Sequence, residues 1–362
     1  MVCMEKVSII QVGFGNAARI HREAFKRQGI PVENIIVIEK DPAKIIEAKK
    51  QGFRVFKSLN ELNPRLLKKS ILDICVPTAE HYSVLKEAVK LGAKKILVEK
   101  PMVSPEDVNK VRKLLREFDG RIVVNENYKS SVVTKEIKKQ LRGKLPEIVV
   151  TEFSKNRRPD IERGRFIDKK LGAAGYEGPH QVVVASELAG APIEIKEVKF
   201  EDMRLSDGTI LPMQASVEIE YRSKRTDNTK LLSSMVGEIK HPTKPFKVMT
   251  ALNDVKDPRH RYRILHVKAD KGIEVIGIYE PIPGQPRSRA SVWKFVKGIA
   301  EIRDRRLIDD SMGAHLRESI KFLAGEKKRN PYNPEKALKN VELLYSAVKK
   351  ARESRQRVRR RR

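Results

Sequence analysis

Gly13-Phe14-Gly15-Asn16-Ala17-Ala18, set between the apolar run of residues 7–12 and the helical pattern of residues 18–28, decides the reading of this chain. Strand, glycine turn and helix in that order are what a dinucleotide site requires. Gly13 permits the tight turn, and Gly15 removes the side chain that would obstruct a diphosphate. Ala18 is small enough for the helix to pack closely on the strand. The helix N-terminus then offers N–H groups and a partial positive charge to phosphate oxygens. Phe14, Asn16 and Ala17 complete the loop.

A second apolar run, residues 34–38, ends in Glu39, about 20 residues beyond the turn, where a carboxylate can accept ribose hydroxyl protons. That carboxylate would repel a 2′-phosphate, which favours NAD; Lys40 beside it keeps NADP open. Asp41-Pro42 reads as the N-cap and first residue of the next helix.

Strand and helix patterns alternate up to residue 125. Strands are expected at 7–12, 35–39, 53–56, 71–76, 95–99 and 121–125. Near-continuous apolar strands between helices imply a parallel sheet covered on both faces, with ligands at the carboxyl ends of its strands. Glu39, Pro77-Thr78, Glu99-Lys100 and 125–127 all fall at such ends. Beyond residue 129 several segments alternate apolar and polar residues, as in Met213-Gln214-Ala215-Ser216-Val217-Glu218-Ile219, which predicts a mostly antiparallel sheet. Strands are expected at 147–153, 194–204, 213–221, 231–240, 262–269 and 273–279. Helices are expected at 291–305, 311–324 and 334–352, with a Pro/Gly loop at 280–286. The expected class is α/β plus α+β: a Rossmann domain over 1–126, a second domain over 127–354, and a basic disordered tail over 355–362.

The 362 residues suffice for two cores. No apolar run approaches the ~20 residues of a membrane span, and the first strand begins too early for a signal peptide. Two cysteines cannot form a disulfide framework, so a reducing cytoplasm is expected. The net charge is +29, and the last fourteen residues carry nine basic side chains against one acidic. Such charge attracts polyanions non-specifically. No groove-reading motif accompanies it, so nucleic acid is expected only as a non-specific partner of the tail. No metal-ligand spacing stands out.

Glu99-Lys100-Pro101 makes the reading specific. Together with the glycine turn, Asp73-Ile74-Cys75-Val76-Pro77-Thr78-Ala79-Glu80-His81, Asn127-Tyr128 and Gly178-Pro179-His180, it resembles the Gfo/Idh/MocA family of oxidoreductases over nearly the whole chain. The resemblance implies NAD(P)-dependent hydride transfer at a hydroxyl or carbonyl of a sugar, sugar phosphate, nucleotide sugar or cyclitol, in a homodimer or homotetramer. It implies Lys100 beside nicotinamide and the reacting carbinol, and His180 as acid/base. Pro77, Thr78, His81, Glu99 and Asn127 would border the cofactor, and Tyr128 the substrate. Histidine suits proton transfer near neutrality, and a fixed ammonium can stabilise an alkoxide-like oxygen.

The family pattern Asp-x-Gly-x-His-x-x-Asp is altered here, with Tyr176 and Val183 at the two aspartate positions. Tyr176 is a candidate to share proton transfer, and Glu177 to supply a displaced carboxylate. Pro179 is expected to open the helix that carries His180. Arg157, Arg158 and Arg165 form a basic loop suited to an anionic substrate. Two alternatives stay open: a redox-assisted glycosidase, and a cofactor-binding regulator without hydride transfer.

Overall fold

A computed structural model describes residues 3–164, 167–236, 261–280 and 289–360. Six short strands, β1 (Ile9–Val12), β2 (Ile35–Ile38), β3 (Arg54–Phe56), β4 (Ile71–Ile74), β5 (Lys95–Val98) and β6 (Arg121–Val124), pair in parallel in the order β3-β2-β1-β4-β5-β6. They alternate with helices α1 (Asn16–Arg27), α2 (Pro42–Lys50), α3 (Pro64–Lys69), α4 (His81–Lys90) and α5 (Val108–Glu117). β1, β2 and β4 are buried along their whole length, which explains their unbroken apolar sequence. The strand order reverses its direction of growth at β1, so the β1–β4 edge is a topological switch point. Asp41 caps α2 as expected, accepting from the N–H groups of Ala43 and Lys44. Ser104 makes no side-chain cap; a 3-10 turn over Pro105–Asp107 leads into α5 instead.

A second sheet has eight strands among the described residues: β7 (Pro146–Lys155), β8 (Pro192–Arg204), β9 (Ile210–Ser223), β10 (Asn228–Ser234), β11 (Arg261–Ala269), β12 (Ile273–Glu280), β13 (Arg289–Val296) and β14 (Ile299–Ile308). Their order is β14-β13-β12-β11-β7-β10-β9-β8. Every pairing is antiparallel except β7 with β10. The remaining helices among the described residues are α6 (Val132–Leu141), α7 (Arg158–Glu162), α8 (Ala174–Ala189), α9 (Ser311–Leu323) and α10 (Pro334–Arg360).

Three expectations are corrected. Residues 291–305 are not a helix but most of the β13–β14 hairpin. Val296 pairs with Ile299, and the two residues between them, Lys297 and Gly298, both have positive φ (50° and 80°), as a two-residue hairpin turn demands. Residues 355–360 are not a separate tail, because they continue α10. Arg355 there donates to Asp202 Oδ1 and to the Phe200 carbonyl, both at 2.6 Å. Finally, the chain divides into two compact units, Met1–Asn127 with Met312–Glu342, and Tyr128–Ser311 with Leu343–Arg362. The segment 312–342 therefore leaves the expected second domain. Leu316, Ile320, Leu323 and Tyr332 pack with Ile9, Ile35, Ile71 and Leu97, so the first unit completes its core with residues from far along the chain. The expected 280–286 loop lies mostly outside the described residues.

Candidate functional site

At the carboxyl end of β1, Gly13 has φ +98°, and an added Cβ would lie 2.9 Å from the Cys75 carbonyl oxygen; only glycine fits without strain. Gly15 is the N-cap of α1, and a Cβ there would meet nothing within 4 Å. Open space thus stands in front of a helix N-terminus whose first N–H groups have no intrahelical acceptor. This fits a diphosphate. Asn16 is exposed and Ala17 half-buried beside it.

Glu39 closes β2 and reaches back to the turn. Its Oε2 accepts the Phe14 N–H at 2.8 Å, and its Oε1 accepts those of Lys40 at 2.8 Å and Asp41 at 3.1 Å. The Phe14 ring does not line the open space. It is buried against Val37, Ala48 and Phe53, with the Arg22 guanidinium 3.8 Å from its centroid.

Past β4, Pro77 is exposed and Thr78 half-buried, in a 3-10 turn that runs into α4. His81 opens α4 and is buried. Its ring nitrogens lie 3.0 Å from the Pro101 carbonyl and 2.9 Å from that of Val76, so it pins the β4 loop to the β5 loop. Burial lowers its pKa against the opposing pull of those carbonyls. Beyond β5, Glu99 is buried and Lys100 half-buried; the Lys100–Pro101 peptide is cis. The Lys100 N–H donates to Glu99 Oε2 at 3.1 Å. Asn127 is buried at the start of the 3-10 turn after β6.

Beneath this rim lies a polar cluster that the sequence did not announce. His21 of α1 is fully buried. Its Nδ1 sits 2.9 Å from Asp73 Oδ1, and its Nε2 2.9 Å from Glu99 Oε1. Asn125 donates to the same Glu99 oxygen. Gln11 donates to Asp73 Oδ2 at 2.7 Å and accepts from Arg22 at 2.6 Å. Burial opposes ionisation of His21, but the charge of Asp73 overrides it and raises the pKa well above 6.5. Burial likewise opposes ionisation of Glu99, yet the His21 hydrogen bond and charge hold its pKa at about 2. Cys75, an expected inert core residue, is buried, and burial and Asp73 push its thiol pKa up.

The second unit gathers a different set. Helix α8 begins at Ala174, ahead of the expected start, and Pro179 sits inside it. Tyr176 and His180 are four residues apart and share a face. The Tyr128 ring lies 4.9 Å from that of His180 in an edge-on contact and 5.3 Å from that of Tyr279. The Tyr176 hydroxyl accepts the Asp168 N–H at 3.2 Å. Gly178 serves packing, since an added Cβ would lie 2.9 Å from Leu344 Cδ2 of α10.

Glu177 is 1% exposed. Arg157 donates to its Oε1 at 2.8 Å and Arg263 to its Oε2 at 2.7 Å. Arg263 also donates to the Tyr128 hydroxyl. The expected free carboxylate is therefore a buried counter-ion, shared by one expected arginine and one the sequence did not single out. Arg157 is correspondingly not a wholly free anion clamp, yet its Nε and that of Arg158 are buried without a partner among the described residues. Arg165 lies outside the described residues. Among the described residues, no helix is long and apolar enough to cross a membrane.

Residues 7–126 match the model of the Gfo/Idh/MocA oxidoreductase family, NAD-binding Rossmann fold. No curated protein is significantly similar to the chain in sequence. Among solved structures, an oxidoreductase from Desulfitobacterium hafniense, whose name assigns it to NADPH, superposes with a TM-score of 0.72 at 14% identity, covering 96% of each chain. The WlbA dehydrogenase from Bordetella pertussis, solved with NADH and UDP-GlcNAcA, gives 0.70 at 16% identity over 96% of this chain and 97% of its own. UDP-N-acetylglucosamine 3-dehydrogenase GnnA from Acidithiobacillus ferrooxidans gives 0.68 at 14% identity over 95% and 97%. These likenesses extend the fold to the whole chain. The N-terminal domain, with its glycine turn, open helix N-terminus and β2 carboxylate, belongs to the Gfo/Idh/MocA oxidoreductase family and has its NAD-binding Rossmann fold.

Proposed function

We propose that this protein oxidises a carbinol of a sugar, sugar phosphate, nucleotide sugar or cyclitol, or reduces the matching carbonyl, with Lys100 and His180 at the reacting oxygen. The observation that carries the proposal is the pairing of Tyr176 and His180 on one face of α8, with Tyr128 against the His180 ring, in a chain whose other unit is an NAD-binding domain bearing Glu99-Lys100 at a strand end. Bound nicotinamide supplies a hydride acceptor. Loss of hydride from carbon leaves a hydroxyl proton to be removed, and the His180 imidazole takes it. The Lys100 ammonium stabilises the negative charge that builds on oxygen. Tyr176 orients the hydroxyl from the same helix face. In the reverse direction His180 returns its proton to the carbonyl oxygen. The balance is carbinol plus NAD⁺ giving carbonyl, NADH and one proton.

The carboxylate of Glu39 supports NAD over NADP, because a 2′-phosphate would approach an anion there; exposed Lys40 allows NADP as the lesser partner. The buried Nε groups of Arg157 and Arg158 support an anionic substituent on the substrate. WlbA and GnnA, both named for nucleotide-sugar chemistry, support the same class.

The test is a coupled screen of sugar phosphates, nucleotide sugars and cyclitols with NAD and NADP. Lys100→Ala and His180→Ala are each expected to lower kcat about a hundredfold or more with NADH binding retained. Unchanged turnover in both variants overturns the assignment. Product release without net NADH would select the redox-assisted glycosidase instead, and NADH binding without hydride exchange on any substrate the regulator.

A further inference from the structure

We propose that His21, bridging Asp73 and Glu99 through its two ring nitrogens, is a positioning residue that ties the Glu99-Lys100 element to the helix of the glycine turn. The inference rests on the reading of Lys100 given above, and its physical core can be tested apart from it.

A neutral imidazole has one N–H and one lone pair. Here each nitrogen faces a carboxylate oxygen, at 2.9 Å on both sides, with no solvent exposure of the ring. A lone pair turned toward an ionised carboxylate inside a protein would be strongly unfavourable, so both nitrogens donate and the ring is an imidazolium. The groups facing it come from every element around it. Asp73 and Cys75 come from β4 and its end, Glu99 and Asn125 from the ends of β5 and β6, and His315 from α9. The Cys75 sulfur is 3.5 Å from Nδ1, and the Asn125 amide nitrogen, itself a donor, lies 2.8 Å from Nε2 because both direct their hydrogens at the one Glu99 oxygen. His315 stays neutral, with burial and the His21 charge lowering its pKa to about 3. Arg22, the next residue of α1, reaches Asp73 through Gln11. Two carboxylates are thus set against an imidazolium and a guanidinium, which removes most of the penalty for burying each charge alone.

His21, Asp73 and Cys75 also place three donor atoms within 4.8 Å of one another, the spacing of a metal site. The donor chemistry speaks against one. Both ring nitrogens of His21 are occupied by carboxylates, and the Cys75 thiol is held protonated by burial and by Asp73.

The consequence follows the chain. His21 and Asn125 hold one oxygen of Glu99, and the other accepts the Lys100 N–H. The residue after the strand end is therefore fixed at its backbone by a carboxylate that is itself fixed by α1. Arg22 stacks on Phe14 inside the glycine turn. One turn of α1 thus fastens both the diphosphate loop and the origin of the catalytic ammonium.

The first readout needs no activity. Side-chain ¹⁵N NMR of the wild-type chain, with His21→Gln for assignment, is expected to show His21 doubly protonated at pH 7.5, titrating only well above 6.5; a neutral tautomer at pH 7.5 overturns the proposal. In His21→Gln, hydrogen exchange of the Lys100 amide is expected to accelerate at least tenfold relative to Leu97 and Val98 in β5. Equal change across the strand assigns His21 a merely structural role and overturns it. If His21→Gln does not fold, Asp73→Asn serves for the exchange measurement. With a substrate in hand, His21→Gln is expected to lower kcat about tenfold, leave the sugar KM within twofold, and shift the alkaline limb of the pH profile. If Lys100→Ala abolishes turnover while His21→Gln leaves kcat and the limb unchanged, the positioning role fails and the assignment of Lys100 stands. If Lys100→Ala has no effect, that assignment fails, and the NMR and exchange results decide the bridge on their own.

Discussion

Glu39 Oε2 accepts the backbone N–H of Phe14 at 2.8 Å, joining the end of β2 to the glycine turn 25 residues earlier. The carboxylate thereby holds the glycine turn in place, and in the function proposed above the same group meets the adenosine ribose. Glu39→Ala should raise KM for NAD about tenfold, roughly 1.4 kcal/mol, and narrow the preference for NAD over NADP. Steady-state KM values for both cofactors decide this, and unchanged values would remove Glu39 from the cofactor site.

Gly178 and Leu344 test the α8–α10 packing. A methyl at residue 178 would lie 2.9 Å from Leu344 Cδ2, inside a fully buried contact. Gly178→Ala should cost about 1–3 kcal/mol by overpacking, read as a lower urea midpoint. Gly178→Ala with Leu344→Ala should lose less than the sum of the single changes. Strict additivity would show that the two positions do not meet.

Glu177 is flanked by two guanidinium groups and is almost wholly buried. Glu177→Gln removes the charge that Arg157 and Arg263 share but keeps the shape. A loss of about 3–5 kcal/mol is expected in denaturant unfolding. A change under about 0.5 kcal/mol would show that the two arginines do not depend on this carboxylate.

Acid should destabilise the first unit through two groups. Glu99 has its folded pKa lowered to about 2, so its contribution is present above the ordinary carboxylate value of 4.5 and is lost as pH falls from there toward 2. His315 is buried neutral with a folded pKa of about 3. The unfolded chain takes up a proton at this site below 6.5 and the folded one does not, so stability falls as pH drops from 6.5 toward 3. His315→Leu should shrink the drop in Tm between pH 7 and pH 4.5. An unaltered drop would place the acid sensitivity elsewhere.

What the sequence revealed and what it concealed divide along a physical line. The six-stranded sheet was legible because strands buried on both faces read as unbroken apolar runs, and because the glycine turn and Glu39 sit at fixed offsets from them. The β13–β14 hairpin was not legible. Val292, Trp293, Phe295, Val296, Ile299, Ala300 and Ile302 fit a helical spacing as well as two strands, and the deciding signal was the Lys297-Gly298 turn. The start of α8 was hidden because Gly178-Pro179 looks like a helix opening while the helix begins at Ala174. His21 was hidden for another reason. Among Arg19, Arg22 and Glu23 it reads as part of a solvated face, and its partners are 52 and 78 residues away. Arg263 is 86 residues from Glu177. Pairings over such distances leave no local pattern.

The return of residues 312–342 to the first unit bears on how the chain is made. Leu316, Ile320, Leu323 and Tyr332 supply hydrophobic mass to a core begun by Ile9 and Ile35, so a polypeptide still emerging from the ribosome lacks part of that core until residues 312–342 have followed, about 300 positions later. The nucleotide-binding half is discontinuous, and a truncation after residue 127 would leave its α9-facing surface bare. Any excised version must graft the late segment back on, and the second unit is equally discontinuous, resuming at Leu343 once the first has taken its late segment.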